Sequence, residues 1–171
     1  MKDRRLIVLV GLAFVTAAAP ALRGAAADPV ALINHAREVV RAVNPPEHGL
    51  TKALADVLEA SLVIMPQTDY SKEYRSRIEG AKKMFDDGHL PSDKAYQDLG
   101  RAYKLVSGGR TWRLPEEFKA ARTEKKDIEQ ATQICLKLLD AALAEHKAGQ
   151  DTEAVRDLVG FVLLVVTPIE R

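Results

Sequence analysis

Apolar residues return every three or four positions along most of the chain beyond residue 28, the spacing that gathers them on one face of an α-helix. Val30, Ile33, Val40 and Val43 form the first row, opened by Asp28-Pro29 and closed by Pro45-Pro46. A carboxylate before the first turn accepts from its free N–H groups. Proline in the first helical position gives up an N–H that would be unbonded anyway. Leu54, Val57, Leu58, Leu62 and Met65 predict a second helix from Thr51, stopped by Pro66. Tyr74, Ile78, Ala81 and Phe85 predict a third, ended by Gly88. Ser92 caps a fourth running through Tyr96, Leu99, Tyr103 and Val106 to Gly108-Gly109.

Pro115-Glu116-Glu117 opens the longest segment, with acids where the positive end of the helix dipole favours them. Its apolar row is Phe118, Ala121, Ile128, Ala131, Cys135, Leu138, Leu139, Ala142 and Leu143, and it runs to Gly149. Asp151 or Thr152 then caps a last helix. Its stretch from Leu158 to Val166 is apolar nearly all round and too short to cross a bilayer, which takes about 20 residues. Such a helix belongs in the middle of a bundle or across a homo-oligomer interface. No stretch alternates with period two between turn signals, so a sheet is not expected. The predicted fold is all-α: a single domain, residues 28–171, forming an antiparallel bundle of five to six helices.

The first 27 residues follow a different logic. Lys2, Arg4 and Arg5 precede an uncharged apolar run over residues 6–19, Pro20 breaks it, and Ala25-Ala26-Ala27 stands before Asp28. Basic start, short apolar middle and small residues before a cut are the parts of a secretory signal peptide, here cleaved after Ala27. A lipid anchor needs a cysteine at the cut, and the one cysteine of the chain is Cys135. The expected location is therefore the periplasm or the exterior, with no lipoprotein anchor.

Composition narrows the chemistry. A single cysteine among 171 residues excludes a disulfide scaffold and any zinc site built on two thiolates. No His-Glu-x-x-His, Cys-x-x-Cys-His, Gly-x-Ser-x-Gly or phosphate-cradling glycine motif occurs, and Cys135 falls on an apolar stripe that offers a thiolate no positive neighbour. No catalytic residues, metal ligands or cofactor are assigned, and the chain is read as a non-enzyme. The alternative from another class is a haem- or metal-carrying bundle, with Met65 or Met84 and His146 as the haem pair.

Charge supplies the one constellation. Residues 72–126 hold 14 Lys/Arg against 9 Asp/Glu, whereas the rest of the chain beyond residue 27 holds 7 against 14. Residues 99–115 contain no acid but carry Arg101, Lys104, Arg110 and Arg113, interleaved with Tyr103 and Trp112. Guanidinium forks suit phosphate or carboxylate, and the lone tryptophan offers a stacking face. Arg101, Lys104, Arg110, Trp112 and Arg113 are thus the candidate anion-binding residues. The plainer reading makes the charges solvated and Trp112 a staple of the turn to the core. The expected activity is non-catalytic binding of an acidic protein, an anionic lipid headgroup or an acidic glycan, with nucleic acid a poor candidate outside the cytoplasm.

Overall fold

The computed structural model describes residues 27–42, 47–123 and 128–168. The predicted signal peptide, apart from Ala27, lies outside the described residues, as do Val43 and Pro45-Pro46. Among the described residues there are seven helices and no strand: α1 (Pro29–Arg41), α2 (Glu47–Ile64), α3 (Ser71–Asp86), α4 (Asp93–Val106), α5 (Glu116–Thr123), α6 (Ile128–Lys147) and α7 (Asp151–Val166).

The helix ends follow local chemistry. The Asp28 carboxylate accepts from the Val30 N–H at 3.0 Å, and the Ser92 hydroxyl accepts from the Ala95 N–H at 3.3 Å. Gly88 and Gly149 adopt the left-handed backbone that lets a chain leave a helix without strain on a Cβ. Two ends depart from expectation. α2 begins at Glu47, a turn before Thr51, because Leu50 is already buried in the core. Neither Asp151 nor Thr152 caps α7: Gln150 occupies the cap, and Asp151 is the first helical residue, its carboxylate 2.7 Å from His146 Nδ1 on α6.

Of the long helix expected between Pro115 and Gly149 the structure describes two stretches, α5 and α6; residues 124–127 lie outside the described residues. Ile128, counted in the apolar row, is 45% exposed.

α2 and α7 occupy the middle. α2 packs on α1, α3 and α7; α7 packs on α2, α4 and α6; α1 closes against α6, and α5 lies on α6. Consecutive helices that pack after short connections are antiparallel neighbours. Both central helices are covered all round: every residue from Ala53 to Leu58 is buried in α2, and every residue from Leu158 to Leu164 in α7. Ala53, Ala55 and Ala60 keep α2 slim enough for close approach on several sides. This corrects one earlier alternative. The apolar stretch of α7 is consumed inside its own chain, with Val165 and Val166 only half-buried, and does not supply an intersubunit face.

Polar groups in the core are satisfied in sequence. Tyr74, wholly buried, donates its hydroxyl to Ser61 Oγ at 2.8 Å, and Ser61 donates to the Leu58 carbonyl at 2.7 Å. Asp56, 5% exposed, takes His35 Nδ1 at 2.7 Å from α1 and Lys52 from one turn earlier on α2.

Candidate functional site

The basic turn joins α4 to α5. α4 ends at Val106, and the turn is closed by Gly109 N–H donating to the Lys104 carbonyl at 2.9 Å and Ser107 Oγ donating to the Arg110 carbonyl at 2.9 Å. Gly108 and Gly109 both have positive φ, +66° and +86°, a pair of left-handed residues that a side chain would strain. The following segment, residues 110–115, is neither helix nor strand. Trp112 and Leu114 turn toward the core, while Arg110, Thr111 and Arg113 face solvent.

Trp112 is fixed on three sides. Its Nε1 donates to Thr167 Oγ1 at 3.3 Å, its ring meets Tyr103 edge-on with centroids 5.2 Å apart at 76°, and Gly160 of α7 leaves room beneath both rings. Thr167 Oγ1 donates its single proton to the Leu163 carbonyl at 2.6 Å, so it accepts from both Trp112 and the Tyr96 hydroxyl, 3.1 Å away. The Thr167 carbonyl in turn accepts from Arg122 Nη1 at 3.3 Å, and the Arg122 guanidinium stands 5.7 Å from the centre of the Phe118 ring. Four segments (α4, the strap formed by residues 110–115, α5 and the end of α7) therefore meet at one threonine. Thr167 and Tyr96 were not singled out by sequence, since only tertiary packing brings residue 167 beside residue 112.

The structure places Arg101, Lys104, Arg110 and Arg113 at the surface. Arg101 and Lys104 are three residues apart on α4 and share a face. Arg101 approaches Asp98 only to 3.8 Å, and Asp98 already binds Lys94 Nζ and Arg77 Nη1 at 2.8 and 2.9 Å. Those partners, Lys94 foremost, hold the Asp98 carboxyl below its ordinary range. Lys104, Arg110 and Arg113 have no ion pair among the described residues. Arg37, Arg77 and Arg156, by contrast, are each tied to one or two carboxylates. Trp112 is partly buried and packs against the core. It anchors the segment that carries Arg110 and Arg113.

The residues of the haem alternative are otherwise engaged. Met84 Sδ accepts from the Ser92 N–H at 3.4 Å, Met65 is a core residue, and His146 is bonded to Asp151. No group of three His, Cys, Asp or Glu side chains among the described residues is placed to hold a metal ion. Two clefts lie away from the basic turn, one lined by His48, Thr51, Lys52, Phe85, Asp86, Asp87 and Gly88, the other between α1 and α6; neither is lined by methionine.

The chain matches no known family model, and neither a curated protein nor a solved structure matches it.

Proposed function

We propose that this protein is an exported helical-bundle module that binds an acidic protein surface, without catalysis, through the strap between α4 and α5. The observation that carries the reading is the division of labour within the strap. Trp112 is locked to Thr167 and Tyr103, so the backbone on either side is held in place, and Arg110 and Arg113 are exposed, as are Arg101 and Lys104 on α4. Preorganised cations lose little freedom on binding, and unpaired guanidinium groups gain the most from an incoming carboxylate. An acidic protein is favoured over a lipid surface because Trp112 and Leu114 point inward, leaving no apolar side chain in the strap to enter a bilayer. Export is supported by the basic start, apolar run and Ala25-Ala26-Ala27 of the first 27 residues.

Trp112 is the one tryptophan of the chain and reports on the strap directly. Titration with polyglutamate should change its emission saturably, with affinity falling as salt rises. The double substitution Arg110→Glu plus Arg113→Glu should abolish the response while leaving helicity intact. Unchanged binding by that variant, or a stronger response to anionic vesicles or dextran sulfate than to polyglutamate, would refute the assignment.

A further inference from the structure

The second cleft, between the end of α1 and α6, measures about 490 Å³ and is lined by Arg41, Gln133, Leu136, Lys137 and Asp140. Gln133 and Lys137 are one turn apart on α6, and Leu136 and Asp140 are likewise one turn apart, so a single α6 face supplies an apolar floor and three polar groups. Leu136 is buried, whereas Gln133, Lys137 and Arg41 are exposed.

The charges on this wall do not cancel. Arg37, one turn before Arg41 on α1, reaches Asp140 Oδ1 with Nη2 at 2.6 Å while Nη1 donates to Asn34 Oδ1 at 2.9 Å. Asp140, the one carboxylate in the cleft's lining, is thus paired with a cation that is not part of that lining. Arg41 and Lys137 have no ion pair or hydrogen-bond partner for their side chains among the described residues. A guanidinium fork, an ammonium and a carboxamide remain, with two positive charges uncompensated. They stand in the portion of the chain where acids outnumber bases by 14 to 7.

We propose that this cleft binds a small organic phosphate monoester. At neutral pH such a group carries a charge of about −1.5 to −2, which matches the uncompensated charge of the wall. Arg41 offers two parallel N–H groups to a pair of phosphate oxygens, Lys137 a point charge, and Gln133 a neutral donor. The volume is within the range of small-molecule sites, roughly 300–1,000 Å³, and leaves room for an organic portion over Leu136. The site is separate from the strap and does not depend on what the strap binds.

The test is a titration of the purified protein with glycerol 3-phosphate and with inorganic phosphate, followed by ¹⁵N–¹H amide shifts. Saturable shifts should appear in residues 37–41 and 133–140, with the ester binding more tightly than the bare ion. Arg41→Gln plus Lys137→Gln, both at exposed positions, should weaken the ester by about tenfold or more, since two charge-assisted contacts are lost. Lys137→Glu alone should do the same, and Arg110→Gln plus Arg113→Gln should change nothing. The proposal is overturned by shifts that never saturate, by shifts centred on residues 101–113, by equal affinity for ester and bare phosphate, or by full binding in the Arg41/Lys137 variant.

Discussion

Trp112 Nε1 donates to Thr167 Oγ1 at 3.3 Å across 55 residues of sequence, and that bond joins the surface strap to the end of the central helix. The threonine hydroxyl uses its full capacity, one donated and two accepted bonds. Replacing it with an isosteric apolar residue leaves two donors short of a partner. Thr167→Val is therefore expected to cost about 1–2 kcal/mol in urea unfolding and to shift Trp112 emission to the red. Thr167→Ser should retain most of the stability. A valine variant as stable as the parent, with unaltered emission, would show that the junction contributes nothing.

Gly160 lies under the same aromatic pair. A Cβ built there meets Trp112 Cζ3 at 3.5 Å and Tyr103 Cε2 at 3.6 Å, ordinary contact distances. Gly160→Ala should raise stability by about 0.5–1 kcal/mol through helix propensity alone. Gly160→Leu overfills the space and should lower it by about 1–3 kcal/mol. Thermal unfolding of both variants checks the sign of each, and a destabilised alanine variant would mean the rings cannot take the methyl.

Burial pushes the Cys135 thiol up to about 12, opposed only in part by Arg122, and burial raises the Tyr74 phenol as well, against the smaller pull of its bond to Ser61. In the unfolded chain the thiol ionises near its ordinary value of about 8.5, so above that pH the unfolded state sheds a proton that the native state keeps. The thiol's contribution is complete below about pH 8.5 and is lost as pH climbs toward 12, by at most about 1.4 kcal/mol per pH unit. Cys135→Ala should flatten this alkaline decline, and Tyr74→Phe should flatten its upper part. Denaturant melts between pH 8 and 11 measure it. A decline identical in parent and Cys135→Ala would remove the thiol from the explanation.

Asp56 is the buried polar tie between α1 and α2, with His35 Nδ1 at 2.7 Å and Lys52 on its two oxygens. Asp56→Asn weakens both charged bonds and should cost about 1.5–3 kcal/mol, within the range for hydrogen bonds to ionised groups. Only Ile33 and Ala36 of α1 are buried, so the loss should appear first as faster amide exchange in α1. Equal exchange rates in parent and variant would mean that Ile33 and Ala36 hold the helix unaided.

The fold was legible where local rules act alone. Asp28 and Ser92 cap their helices, Gly88 and Gly149 end theirs, and the row Tyr74, Ile78, Ala81, Phe85 is buried as its spacing requires. What could not be read depends on neighbours distant in sequence. Ile128 fits the apolar row yet is exposed, because periodicity records a face and not what covers it. Asp151 has the chemistry of a cap but is engaged by His146. The candidate cations were found from the acid-free stretch 99–115, but the inward turn of Trp112 follows from Thr167, Tyr103 and Gly160, all contributed by other helices.

The enclosed position of α7 also dictates when this molecule can exist. Six helices leave the ribosome before residues 151–166 do, and until then α2 faces an empty groove and α4 and α6 lack the partner they share. A growing chain is consequently kept from closing its interior during most of its synthesis.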